Sequence, residues 1–127
     1  MLPLPTDNPD RTAAQAASPR GRILVIDDEA DIREGLEFLL TSENYAVDSA
    51  QNGTEGLRKM ENRAYDLVLL DLMMPDISGM GVLEETRKRD RETPIFMITA
   101  YGSVEAAVQA LKLGANDYFP NPGTTRS

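Results

Sequence analysis

Oxygen-bearing side chains at the ends of short apolar runs are the residues of this chain most suited to chemistry. Asp27-Asp28-Glu29 follows the run Ile23–Ile26, Asp71 follows Leu67–Leu70, and Thr99 follows Ile95–Ile98. The 127 residues include no Cys, His or Trp. Disulfides, zinc–thiolate sites, thiol nucleophiles and Ser-His-Asp catalysis are therefore excluded. Carboxylates, hydroxyls, Lys and a hard cation are left to do the work. Carboxylates brought close together repel unless a cation neutralises them, and an all-oxygen ligand set suits Mg²⁺. The simpler reading is that an Asp at the end of a run caps the next helix. That accounts for Asp28, but not for carboxylates at two run ends beside a third that carries a hydroxyl.

Such convergence needs parallel strands, and the chain is patterned for them. Continuous apolar runs suit strands buried on both faces. Ile23–Ile26, Tyr45–Ala50, Leu67–Leu70, Ile95–Ile98 and the short Asp117–Phe119 are the expected strands. Between them, Ile32, Leu36, Leu39 and Leu40 recur at helical spacing. Leu57 and Met60 mark a second helix, Val82, Leu83 and Thr86 a third, and Val104, Val108 and Leu111 a fourth closed by Gly114. Asn52-Gly53 reads as a turn, and Pro75, Ser78 and Gly79 as a loop. Strict alternation predicts an α/β fold, a parallel sheet with helices on both faces. Ligands of such sheets sit beyond the carboxyl ends of the strands, where the candidate residues lie.

With 13 Lys+Arg against 21 Asp+Glu, the net charge is −8, which argues against unaided binding to nucleic acid. No apolar run approaches the roughly 20 residues needed to span a bilayer, so a cytoplasmic protein without membrane contact is expected. Residues 1–20 carry four prolines among small and polar residues and read as a flexible leader.

Four motifs, Ile-Leu-Val-Ile-Asp-Asp-Glu from Ile23, Leu-Val-Leu-Leu-Asp-Leu-Met-Met-Pro-Asp-Ile-Ser-Gly from Leu67, Met-Ile-Thr-Ala from Met97 and Gly-Ala-Asn-Asp-Tyr from Gly114, recur in an order that resembles the receiver domain of two-component response regulators. The resemblance implies a flavodoxin-like, doubly wound five-stranded sheet of order 2-1-3-4-5 over residues 21–122. It implies Asp71 as phosphoacceptor from a sensor histidine kinase, and Mg²⁺ held by Asp27, Asp28, Asp71 and the Met73 backbone carbonyl. Thr99 would contact a phosphoryl oxygen, and Tyr118 would be the aromatic switch. The side chains of Met73 and Tyr101 would modulate rate at the mouth of the site. An output domain or a homodimer is the further partner implied, and no organic cofactor is expected. The stretch Tyr101–Ala107 resembles receivers of sigma-54-type transcription activators, which work through an ATPase domain. Counting Glu29 and Asp76, five acids are expected in or beside the pocket.

The pattern departs from the family near the C-terminus. Where receivers carry Lys-Pro after the switch aromatic, this chain has Asn121-Pro122, and an Asn amide brings no charge and a shorter reach. The tail of residues 123–127 leaves no room for a fifth helix. Both departures begin at one residue, and deleting one base from a Lys codon before Pro-Trp-Asp-Asn-Glu-Lys-Leu reproduces Asn-Pro-Gly-Thr-Thr-Arg-Ser. A frameshifted, truncated receiver is the expectation, a natural short receiver or a cloning-derived tail the other reading. The resemblance then implies intact Mg²⁺ binding, impaired phosphorylation and an uncovered apolar flank beside the first helix. Two other classes compete. An Mg²⁺-dependent phosphohydrolase would need Asp-x-Asp, which Asp71-Leu72-Met73 lacks. A phosphorylation-independent interaction domain would be indifferent to Asp71→Asn.

Overall fold

In a computed structural model of the chain, residues 19–99 and 103–120 are described below. The readings made above for residues 1–18, Tyr101, Asn121, Pro122 and the tail lie outside them. Five strands, β1 (Arg22–Ile26), β2 (Ala46–Ala50), β3 (Leu67–Asp71), β4 (Ile95–Thr99) and β5 (Asp117–Pro120), form one parallel sheet in the order β2-β1-β3-β4-β5. Four helices connect them: α1 (Ala30–Ser42), α2 (Gly53–Asn62), α3 (Gly79–Arg87) and α4 (Val104–Leu113). The expected α/β architecture and strand order are both present.

Alternation along each strand divides the core between the two faces of the sheet. Leu24, Ile26, Val68, Leu70, Ile95 and Met97 point to the face covered by α2, α3 and α4. Ile23, Val25 and Leu69 point to the other, where Leu36 and Leu40 of α1 pack with Phe96 and Ile98. On that second face the Phe96 and Phe119 rings meet edge-on, with centroids 5.6 Å apart. Because both faces are covered, the inner strands read as unbroken apolar runs rather than alternating ones.

Two helices turn differently from the sequence expectation. In α4, the residues that signalled the helix lie on its outer side: Val104 is 80% exposed, Val108 46% and Leu111 49%. The buried side carries Ala110, with Ala106 and Leu113 packed on the core. Alanine brings helix and sheet close together, but it is too small to stand out in a search for large apolar residues. In α1, Leu39 points outward while Ile32, Leu36 and Leu40 turn inward. Gly114 closes α4 as expected, at φ 113°.

Arg87, at the end of α3, is buried and forms no salt bridge with a carboxylate among the described residues. Its guanidinium donates to the carbonyls of Gly114 (3.0 Å), Asp90 (3.0 Å) and Thr93 (2.8 Å) and to the Asn116 side chain (3.1 Å). Asn116 Oδ1 also accepts from the Ile95 N–H at 2.9 Å. One planar fork thus ties the loop before β4 to the loop before β5, at the N-terminal edge of the sheet. Arg87→Met would strand these buried acceptors, so a loss of about 2–4 kcal/mol is expected in urea unfolding. Arg87→Lys is expected to recover little of it, because an ammonium cannot reach four separated acceptors.

Candidate functional site

Order and register bring the candidate residues together. The adjacent strands β1 and β3 pair Ile26 with Leu70, so the next residues, Asp27 and Asp71, emerge side by side at the C-terminal edge. After β1 the chain turns to the α1 face, and after β3 it turns to the opposite face. The opening between these departures is where such sheets bind ligands. Carboxylate oxygens of Asp27, Asp28 and Asp71 all lie within 4.8 Å of one another. Asp27 is buried, Asp28 is exposed and Asp71 is partly buried.

Each side chain is held locally. The Asp27 backbone N–H extends the β1–β2 ladder to the Ala50 carbonyl (3.1 Å). Its carboxylate accepts the Glu29 N–H at 2.9 Å, and its carbonyl accepts from the Arg33 guanidinium at 2.8 Å. The Leu72 and Met73 backbone N–H groups face the Asp71 carboxylate and favour its charged form. Burial nevertheless outweighs them. It pushes Asp71 up to about 7, and the charges of Asp27 and Asp28 add to the shift. Asp27 rises to about 6, again chiefly through burial, with Arg33 opposing. Close anions deprived of water hold protons that they would shed on binding a cation.

Thr99 ends β4, the neighbour of β3, and is buried. Ile98 pairs with Asp71, so Thr99 stands one residue further out on the same edge. Tyr118, in β5, pairs with Met97 of β4, and its ring is half-buried against the larger core cluster. Its hydroxyl is buried near the Ser103 backbone without a well-formed hydrogen bond among the described residues. Met73 is 53% exposed beside Asp71.

Of the five acids expected in or beside the pocket, three form the cluster. Glu29 is exposed and serves as the N-cap residue of α1. Asp76 faces away, onto the N-terminus of α2, where it binds Gly53 and Thr54. Sequence reasoning missed Arg33. Its signal was a cation in the second turn of a helix that follows an acidic cluster, where the helix dipole disfavours positive charge. The groove between the C-terminal ends of α2 and α3, lined by Leu57, Met60, Thr86 and Arg89, opens at the opposite edge and shares no residue with the cluster.

The comparisons agree with this geometry. Residues 23–126 match the model of the response regulator receiver domain. The transcriptional regulatory protein ResD of Bacillus subtilis is 46% identical over 105 residues, which are 83% of this chain and 43% of ResD. Among solved structures, TrrA from Thermotoga maritima, in complex with Mg(2+)-BeF, has TM-score 0.73 and 42% identity, covering 79% of this chain and 85% of that one. NtrX from Brucella abortus, in complex with ATP, has TM-score 0.75 and 35% identity, covering 80% of this chain and 24% of NtrX. The chain spans less than half the length of the curated relatives it matches first. Among the described residues no helix is long and apolar enough to cross a membrane. With its sheet order, its acidic edge and these relatives, the chain belongs to the response regulator receiver domain family.

Proposed function

We propose that this chain takes a phosphoryl group from a sensor histidine kinase onto Asp71, in the cytoplasm, as the input half of a transcription regulator. The observation that carries the reading is the convergence of three carboxylates from β1 and β3 next to the Thr99 end of β4. The donor set is hard oxygen throughout, and its carboxylates are held close with raised pKa values, which fits Mg²⁺. Asp27, Asp28, Asp71 and the Met73 carbonyl would hold that ion. When bound, it offsets charge on the phosphoryl oxygens as the carboxylate approaches. That TrrA is solved with Mg(2+)-BeF supports the assignment.

The remaining steps belong to the chain's own groups. The ionised Asp71 carboxylate attacks phosphorus, an O–P bond forms, the P–N bond to the kinase imidazole breaks, and that nitrogen recovers its lone pair. The Leu72 and Met73 N–H groups hold the carboxylate in place, and the Thr99 hydroxyl donates to an oxygen of the transferred group. The Tyr118 ring, half-buried against the larger core cluster, is the element that repacks when Thr99 moves. Asn121 occupies the position where receivers place a cationic Lys, so transfer is weakened. An output domain or a second receiver reads the result. The sigma-54-type assignment gains support from NtrX, a longer protein solved with ATP.

Three outcomes are expected. Intact-mass analysis with acetyl phosphate and Mg²⁺ gives a single phosphoryl adduct that Asp71→Asn and EDTA each abolish; an adduct that survives Asp71→Asn refutes the assignment. Asn121→Lys speeds adduct formation by roughly tenfold or more, as a restored charge contact on the transferred group should. The third concerns pH. Burial raises Asp27 to about 6 and Asp71 to about 7 in the fold, above the ordinary 3.8 of an aspartate, so the folded state binds more protons than the unfolded chain between those limits. Their contribution to stability is full below about 4 and declines as pH rises to about 7. Thermal melts in EDTA should therefore lose stability across that window, and Mg²⁺ should restore it at neutral pH. A melting temperature that rises from pH 5 to 7 in EDTA for the parent chain, and equally for an Asp27→Asn, Asp71→Asn chain, counts against the assignment.

A further inference from the structure

Asp76 is exposed and separated from the acidic cluster, yet its carboxylate is fully engaged. Oδ1 accepts the Gly53 N–H at 3.0 Å, and Oδ2 accepts the Thr54 N–H at 3.0 Å and the Thr54 hydroxyl at 2.7 Å. Asn52 takes the next N–H of the helix, that of Glu55, at 2.8 Å. The free donors of the first turn of α2 are thus divided between a local cap and a carboxylate 23 residues away. A negative charge at this end of a helix is favoured, and the same contacts hold Asp76 ionised well below the usual carboxylate range.

The strap acts on the segment that leaves Asp71. Residues 72–78 form a loop closed by the Gly79 N–H on the Leu72 carbonyl at 2.8 Å. Its far side lies directly on α2: a Cβ at Gly53 would stand 2.8 Å from Val82 Cγ2 and 2.9 Å from Ile77 Cβ. Only glycine permits that approach, and only with the loop seated does Asp76 reach the helix. The same loop carries the Leu72 and Met73 N–H groups that face Asp71, together with the Met73 carbonyl. Its placement therefore sets both the direction of the Asp71 carboxylate and the position of the Met73 carbonyl, the fourth oxygen of the metal reading above.

We infer that Asp76 is a positioning residue of the phosphorylation centre, strapping the loop after β3 to the N-terminus of α2 so that the Met73 carbonyl and the Asp71 carboxylate are held in register for a divalent cation. The inference rests on the metal reading given above and adds a residue that touches neither metal nor phosphoryl group. Through the strap, α2 becomes part of the support of the site, although none of its side chains enters it.

The test is calorimetric titration of the full chain with MgCl₂ alone, alongside thermal melts in EDTA. Asp76→Ala is expected to weaken Mg²⁺ binding by about tenfold, the lower end of what outer supporting residues contribute. Asp76→Asn, which retains one acceptor oxygen, should fall between the two. A purely structural role predicts a lower melting temperature with Mg²⁺ affinity unchanged at temperatures where both chains are folded, so a folded Asp76→Ala chain that binds within twofold of the parent overturns the inference. If Asp76→Ala does not fold, Thr54→Val, which removes only the hydroxyl donor, decides by the same criterion with a smaller expected loss. If the parent chain binds no Mg²⁺, or binds it equally after Asp27→Asn and Asp71→Asn, the metal reading itself fails and this inference falls with it.

Discussion

Three carboxylates held at the C-terminal edge of one parallel sheet repel one another, and two of them are partly or wholly withdrawn from water. That electrostatic load is what the rest of the fold has to support. Asp27 and Asp71 are each driven upward, to about 6 and about 7, mainly by burial and secondarily by neighbouring carboxylates, Asp28 and Glu29 acting on Asp27 and Asp27 and Asp28 on Asp71. Arg33 offsets only part of that charge, because it donates to the Asp27 carbonyl rather than to its carboxylate. Such an arrangement persists because the backbone imposes it. β1 and β3 are central strands, tied on both sides by ladder hydrogen bonds and buried above and below, so their ends cannot move apart to relieve repulsion.

Rigid strands account for Asp27 and Asp71, but the loop after Asp71 needs its own restraints. Those come from the helix layer. Gly53 lets the loop sit against α2, the Leu72–Gly79 hydrogen bond closes it, and Asp76 binds the first turn of the helix. At the other edge of the sheet, Arg87 plays an analogous part with opposite sign, joining the loops that lead into β4 and β5 through carbonyl acceptors. The strands that carry Thr99 and Tyr118 are thereby fixed at their starts, at the edge opposite the acidic cluster. Two charged residues, one acidic and one basic, each engaging backbone groups rather than each other, thus restrain the loops at the two edges of the sheet.

Much of this was legible in the residues. Unbroken apolar runs identify strands buried on both faces, because a strand with one wet face would alternate. The position of Asp27, Asp28, Asp71 and Thr99 at the ends of such runs places them on one edge as soon as the strands are parallel. The α4 face was read inverted, because Val104, Val108 and Leu111 outweigh alanine in any pattern of large apolar groups. Asp76 was grouped with the pocket acids by proximity along the chain, and only the fold shows its carboxylate turned toward Gly53 and Thr54. A contact between residues far apart in sequence leaves no periodic trace for a reader to find.

The sequence by itself determined the family of fold, the edge on which the acidic residues gather and the all-oxygen character of their side chains, since run length, alternation and residue type are local properties. Tertiary structure decided which acids share the cluster, how strongly burial and mutual repulsion raise their pKa values, and which loops are strapped to which helices. Those are properties of distances between distant residues, set by strand order and register, and electrostatic energy depends on distance and on exclusion of water rather than on position along a chain.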